Sequence, residues 1–367
     1  MIDHTKYMKI ALKEALKGRG KVSPNPLVGA VIVKNGKIIG KGAHLKFGEE
    51  HAEINAFNNC SESPAGADLY VTLEPCDHHG KTPPCTERII KEKVSRVFIA
   101  TLDPFKKVNG NGAERLRKAG IIVEVGLLEI DAKILNESFI HYQQTGTPFI
   151  LLKSAISLDG SIATDAGDSK WISSQKSRKY VHKLRNDYDA ILVGKNTVLK
   201  DDPELTVRMV KGANPKRVII DKDLSLDIKH KVFSDKNKNA TIILASKDSR
   251  QSQKETILRN QGITILKIST INGYLNLKEA MKELGKLEIT SMMVEGGGLT
   301  ASMFLKEKLV NRINLFIAPL IVGSTKKFTD KLGINNISNA IKIVDKTILK
   351  FDEDILINGL VKYRNWS

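Results

Sequence analysis

Aromatic side chains are scarce in this chain of 367 residues, at 5%, so stacking platforms for nucleobases are sparse. Cysteine is rarer still, with three in all, Cys60, Cys76 and Cys85. So low and odd a count makes a disulfide framework implausible and fits a reducing compartment. No apolar run approaches the ~18 residues that span a bilayer. The opening Met1-Ile2-Asp3-His4-Thr5-Lys6 returns to polar residues before a signal-peptide core forms. A cytoplasmic protein with no membrane partner is therefore expected.

What is present is ordinary for a soluble globular protein, with 41% hydrophobic and 27% charged residues, and excludes wholesale disorder. The length predicts two domains or a little more. The 58 basic and 41 acidic side chains leave a net charge of +17. Because the lysines are scattered rather than gathered in a block, an anionic, phosphorylated small substrate is favoured over a nucleic-acid partner.

The most informative stretch runs from His51-Ala52-Glu53 through Thr72-Leu73-Glu74-Pro75-Cys76 to Pro83-Pro84-Cys85. One histidine and two cysteines supply three ligands to a tetrahedral zinc and leave the fourth position to water, the pattern of a catalytic site. Glu53, two residues after His51, can carry a proton from that water to a departing amine, as in zinc deaminases of nucleobases. The eight residues between Cys76 and Cys85 are polar and turn-rich, so they can loop out while both thiolates return to one metal. The competing reading is a structural zinc with His78 or His79 as fourth ligand, which would have no need of Glu53.

Read in order, the chain predicts a helix from Lys6 to Leu16. A hairpin follows, Val28 to Val33 turned at Asn35-Gly36 into Lys37 to Gly40. Then come the His51 helix, a strand Asp68 to Thr72, a helix from Cys85 to about Lys91, a strand Ser95 to Ala100, a helix Ala113 to Ala119 and a strand Ile121 to Val125. This alternation predicts an α/β sheet flanked by helices, with metal ligands at two helix N-termini, where thiolates gain from the helix dipole. A further helix, Glu129 to about Ile140, leads to the polar Gln143-Gln144-Thr145-Gly146-Thr147-Pro148, read as the boundary between domains 1–145 and 149–367.

Beyond it Phe149 to Lys153 opens a second α/β pattern. Its further strands are placed at Ala190 to Val193, Arg217 to Ile220, Thr241 to Leu244, Ile263 to Ile268, Met292 to Val294 and Arg312 to Ile317, with Ser234 to Asn239 a solvated loop. Val294-Glu295-Gly296-Gly297-Gly298-Leu299-Thr300-Ala301-Ser302 reads as strand, glycines and helix start, an arrangement that aims backbone amides at a phosphate. It fits a dinucleotide fingerprint poorly, lying late in its domain with no acidic residue about twenty positions on. Ser157-Leu158-Asp159-Gly160, Trp171-Ile172-Ser173, Gly194-Lys195-Asn196-Thr197 and Asp201-Asp202-Pro203 fall where strands end in loops, the usual place for ligands. The residues alone reach a nucleotide-like or phosphorylated ligand.

Together with Pro24-Asn25-Pro26-Leu27-Val28-Gly29 and the Cys76-to-Cys85 spacer, these motifs resemble the bifunctional riboflavin-biosynthesis family. Its members join a diaminohydroxyphosphoribosylaminopyrimidine deaminase to a 5-amino-6-(5-phosphoribosylamino)uracil reductase. The resemblance spans nearly the whole chain. It implies a cytidine-deaminase-like zinc domain followed by a dihydrofolate-reductase-like domain that uses NADPH, with hydrolytic deamination preceding reduction of the ribosyl group to ribityl. It makes His51, Cys76 and Cys85 the zinc ligands, Glu53 the proton carrier, and Asn25, His44 and Lys81 the deaminase substrate contacts. For NADPH it implies Ala155, Trp171, Thr197, Asp201 and the loop Gly297, Gly298, Leu299, Thr300, Ala301, Ser302 and Met303. For the reductase substrate it implies Ser169, Arg185, Leu205, Arg208 and Glu295, the two arginines taking the phosphate. The loop Asp103-Pro104-Phe105-Lys106-Lys107-Val108 departs from the family, which has Asn-Pro after Asp-Pro. A homo-oligomer is expected. The alternative function is a nucleic-acid base deaminase with an accessory domain, and a non-catalytic binding module with structural zinc stands behind it.

Overall fold

The computed structural model describes residues 3–77, 83–105 and 109–364, and the chain divides into two compact units, Met1–Gly146 and Thr147–Ser367.

The first unit runs α1 (His4–Ala15), β1 (Gly29–Lys34), β2 (Lys37–Ala43), α2 (Ala52–Asn58), β3 (Asp68–Val71), α3 (Cys85–Lys91), β4 (Arg96–Ile99), α4 (Asn111–Lys118), β5 (Ile122–Val125), α5 (Glu129–Leu135) and α6 (Glu137–Thr145). Its strands form one sheet in the order β2-β1-β3-β4-β5. The β1–β2 hairpin is antiparallel, and β3, β4 and β5 are mutually parallel. Asn35 and Gly36 both adopt positive φ, 50° and 76°, which is the two-residue turn their sequence predicted.

Period-two alternation along the strands sends side chains to opposite faces. Ala30, Ile32, Leu69, Val71, Val97 and Ile99 pack under α2, α3 and α4, while Val31, Val33, Tyr70 and Phe98 meet α1 and α5. Each fully buried aliphatic side chain contributes about 1.5–3 kcal/mol. α2 lies directly on β2, because a Cβ at Gly42 would stand 2.2 Å from Ala56 N and 2.3 Å from Ala52 O. That approach seats the helix whose N-terminus bears His51.

Two local expectations fail here for identifiable reasons. The predicted helix from Glu129 to Ile140 is broken at Asn136, whose Nδ2 donates to Leu27 O at 2.9 Å and whose Oδ1 accepts from Leu27 N at 2.8 Å. Gln143 to Thr145, read as linker, belong instead to α6, which Gly146 ends in the left-handed conformation at φ 68°.

The second unit runs β6 (Phe149–Ser157), α7 (Gln175–Asp187), β7 (Ala190–Gly194), α8 (Lys195–Asp201), β8 (Lys216–Ile220), α9 (Lys231–Ser234), β9 (Thr241–Ser246), α10 (Ser252–Asn260), β10 (Thr264–Ile268), β11 (Thr270–Ile271), β12 (Tyr274–Leu275), α11 (Leu277–Lys286), β13 (Ser291–Val294), α12 (Gly298–Lys306), β14 (Arg312–Ala318), β15 (Lys342–Phe351) and β16 (Asp354–Lys362). Nine strands order as β10-β9-β8-β7-β13-β6-β14-β16-β15. They are parallel from β10 to β14, and β14, β16 and β15 close the sheet in antiparallel pairs. One core lies on each face of the parallel part.

The six strands predicted after Phe149–Lys153 fall within two residues of β7, β8, β9, β10, β13 and β14. Ser234 to Asn239 is not simply a solvated loop. Asp235 takes a two-point ion pair from the fully buried Arg217, at 2.7 and 3.0 Å.

Candidate active sites

In the first unit three ligand atoms converge. His51 is the N-cap of α2, Cys76 lies in the loop after β3 and Cys85 is the first residue of α3. His51 Nδ1 stands 3.3 Å from Cys85 Sγ and 3.5 Å from Cys76 Sγ, and all three ligand atoms lie within 4.8 Å of one another. Bonds of ~2.0–2.3 Å around a tetrahedral zinc require spacings of this size between N and S donors. The donor set, one imidazole and two sulfurs, fits zinc. A hydrogen bond from Cys85 lowers the Cys76 thiol well below its ordinary range, against the opposing pull of burial, and His51 adds to that lowering.

Glu53, in the first turn of α2, is 3% exposed, and burial pushes its carboxyl up to about 7 despite the attraction of His51. His44 packs edge-on against His51, ring centroids 5.5 Å apart. Its Nδ1 donates to Glu50 O at 3.0 Å, so its Nε2 accepts from Asn25 Nδ2 at 3.2 Å, and burial lowers its pKa. The fold thus gathers His51, Cys76, Cys85, Glu53, His44 and Asn25. A cavity of about 310 Å³ opens beside His51, lined by Glu50, Ile54, Pro84, Arg88 and Lys91 among others. Lys81, His78 and His79 lie outside the described residues, as do Lys106, Lys107 and Val108 of the altered loop.

The scaffold around this site escaped the sequence reading. The buried Glu74 carboxylate accepts from the backbone N–H of Asp103, Gly110 and Ala113, at 3.1, 2.9 and 3.1 Å. Asp77 joins Thr86 Oγ1 to Arg115 Nη1, both at 2.6 Å. A Cβ at Gly112 would meet Pro75 O at 2.2 Å, so α4 sits against the segment that delivers Cys76. The sequence signal was Glu74-Pro75-Cys76 itself, but its partners lie 29 to 39 residues away.

In the second unit the polar side chains gather around Glu295, just past the end of β13. Arg185 of α7 binds it in a fork, Nε to Oε1 at 2.9 Å and Nη2 to Oε2 at 3.1 Å. Lys153 of β6 stands 3.7 Å away. Burial alone would raise the Glu295 carboxyl, but Arg185 and Lys153 together outweigh it and hold it at about 2. Burial lowers Lys153 in turn. Lys153 and His182, the latter 7% exposed, are site residues that sequence reasoning passed over.

Leu205 is buried at φ 52°, and Arg208 reaches Glu204 at 2.8 Å. Ser169 and Trp171 lie on the loop between β6 and α7, both exposed, with the Arg178 guanidinium 4.3 Å from the Trp171 ring centroid. Ala155 lies on β6 and Thr197 and Asp201 on α8.

The glycine loop leads from β13 into α12, and among the described residues no side chain caps the helix. Its first-turn amides have no carbonyl partner within the helix. Among the described residues nothing stands within 4 Å of where a Cβ of Gly297 would be, whereas one on Gly298 would strike Lys327 O at 2.6 Å. The cradle is open on one side and fits the pyrophosphate of a dinucleotide. Ala301 and Ser302 are buried, with Ser302 Oγ accepting from Asp330 N at 2.7 Å.

Comparison with known proteins gives a consistent picture. The family model described as "Cytidine and deoxycytidylate deaminase zinc-binding region" matches residues 1–101, and that of the "RibD C-terminal domain" matches residues 148–357. The riboflavin biosynthesis protein RibD of Aquifex aeolicus is 46% identical over 96% of each chain. That of Escherichia coli is 38% identical over 95% of each. Among solved structures, Acinetobacter baumannii RibD superposes with a TM-score of 0.86 at 32% identity over 98% of both chains. A diaminohydroxyphosphoribosylaminopyrimidine deaminase/5-amino-6-(5-phosphoribosylamino)uracil reductase from Thermotoga maritima does so at 0.84 and 39%, with the same coverage.

Proposed function

The chain belongs to the RibD family and is a bifunctional riboflavin-biosynthesis enzyme, a zinc-dependent deaminase and an NADPH-using reductase, and from that premise we propose how its residues divide the work. Residues 1–145 carry the deaminase and residues 149–367 the reductase.

The first substrate is 2,5-diamino-6-ribosylamino-4(3H)-pyrimidinone 5′-phosphate. Water adds to the ring carbon bearing the exocyclic amine, the C–N bond breaks and ammonia leaves. His51, Cys76 and Cys85 would hold zinc, whose Lewis acidity would bring water activation to neutral pH. Glu53 takes the water proton and returns it to the departing amine. The observation that carries this reading is its carboxyl, buried in the first turn of α2 two residues after His51 and beside the converging His51, Cys76 and Cys85. Asn25 and His44 orient the pyrimidine, with Lys81 toward the phosphoribosyl arm.

The deaminated product is then reduced. NADPH, when bound, would supply the hydride for the ribosyl C1′, with the ring C–O bond opening and a proton completing the ribityl hydroxyl. NADPH would lie along Ala155, Trp171, Thr197, Asp201 and the segment from Gly297 to Met303, whose amides as far as Thr300 have no carbonyl partner within α12. Ser169, Arg185, Leu205, Arg208 and Glu295 meet the substrate. Because Arg185 has its Nε and Nη2 on Glu295 and its Nη1 on Thr206 O, Arg208 is the arginine assigned to the phosphate. The test follows ammonia and NADPH absorbance in parallel on that first substrate. Ammonia followed by NADPH loss is expected, and ammonia without NADPH loss would remove the reductase assignment.

The partner is this small phosphorylated molecule, and the enzyme works in the cytoplasm without nucleic acid; among the described residues no helix is long and apolar enough to cross a membrane. The chain also associates with itself. Leu315, Ile357 and Ile348 stand opposite one another across β14, β16 and β15, and Ile317 pairs with Ile355 on the same face. Ile348 is 69% exposed and Ile355 43%, an apolar row that a second copy would cover. Light scattering should give a multiple of the chain mass; a single-chain mass at every concentration would count against it.

A further inference from the structure

The segment from Asp202 to Asn214, between α8 and β8, has no regular structure, yet side chains fasten its main chain at Glu204, Thr206, Val207 and Arg208. Glu204 O accepts from Arg217 Nη1 at 3.2 Å and Thr206 O from Arg185 Nη1 at 3.2 Å. Val207 N donates to Asn214 Oδ1 at 2.8 Å, and Arg208 N donates to His182 Nδ1 at 3.1 Å. His182 is a buried residue of α7, three positions before Arg185. A backbone N–H can only donate, so Nδ1 must carry the lone pair and the ring must be neutral with its proton on Nε2. Burial, then the charges of Arg185 and Arg208, lower its pKa to about 4 and keep it in that form.

We propose that His182 is a positioning residue of the reductase, which fixes the main chain at Arg208 so that the guanidinium is presented to the substrate phosphate. The inference rests on the assignment of Arg208 to that phosphate. The Arg208 side chain is 51% exposed and its charge is met by the Glu204 carboxylate, so the side chain can exchange one anion for another while its backbone stays in place. Holding that backbone in advance removes an ordering cost from binding. Nothing in His182 touches the reacting sugar carbon; it acts through Arg208.

The experiment compares His182→Leu, His182→Asn and His182→Gln in the full-length, zinc-loaded enzyme, with the deaminated phosphoribosyl substrate in the reductase assay. Leucine removes the acceptor, asparagine places an oxygen near the position of Nδ1, and glutamine places one near Nε2 instead. Loss of the acceptor for the part-buried N–H at Arg208 should raise the KM for the phosphorylated substrate about three- to tenfold in the leucine variant, with the KM for NADPH and the rate of ammonia release unchanged. Asparagine should restore most of the loss and glutamine little of it. If leucine prevents folding, the asparagine and glutamine pair decides, and equal behaviour of those two would overturn the proposal.

The same substrate without its phosphate should be reduced equally by wild type and the leucine variant; a loss that persists on it would show a structural role only. Arg208→Ala separates the two layers. An unchanged KM in that variant removes the phosphate assignment itself, whereas a raised KM there with none in His182→Leu removes only the role of His182.

Discussion

Glu53→Gln is expected to lower ammonia release by about 10²–10⁴-fold, the usual contribution of a positioned proton carrier, while the zinc content of the purified protein stays at wild-type level. Glutamine keeps the shape and burial of the side chain but cannot take a proton from water. Since His51, Cys76 and Cys85 form the ligand set without Glu53, the metal has no reason to leave. NADPH oxidation on a deaminated substrate should also be unchanged, because the reductase residues lie in the other unit. Deamination and metal content must both be measured. Deamination at the wild-type rate would take Glu53 out of the reaction, and loss of zinc with loss of rate would make it a structural support of the centre.

The zinc site was legible in the sequence because each of its parts is local. His51 and Cys85 sit at helix starts whose flanking residues mark them, and Cys76 follows a strand that reads as one. The glycine loop was legible for the same reason, as a run of small residues between a strand and a helix. What stayed hidden depends on partners far along the chain. Asn136 looks like an ordinary helical residue until Leu27, 109 positions earlier, takes both ends of its amide. Glu74 looks like part of a metal motif until three amides from a distant loop and helix converge on it. The β15–β16 hairpin was missed because its outer strand is largely exposed and carries little of the alternation that marks a half-buried strand.

The buried charges of the second unit show the same limit and carry the other large prediction. Lys153, Arg185 and Glu295 lie up to 142 residues apart, and only the fold makes them one cluster. Arg185→Met should lower reductase kcat/KM by several hundredfold and cost about 3 kcal/mol of stability at neutral pH, the low end for breaking a buried ion pair, because Lys153 still faces the carboxylate. Arg185→Lys should recover much of the stability but little of the activity, since an ammonium cannot reproduce the planar fork to Glu295 or reach Thr206 O together with it.

The pH dependence has a definite sign. In the wild type the Glu295 carboxyl is held at about 2, against an ordinary value of 4.5. Its contribution to stability is therefore complete above 4.5 and is lost as pH falls toward 2. Removing the guanidinium lets burial push the carboxyl upward, so acid relieves the variant where it weakens the wild type. Calorimetric melts of the two proteins should thus differ most at pH 7 and converge as pH falls below 4.5. A gap that stays constant down to pH 3 would mean that Glu295 is not the group whose charge Arg185 supports.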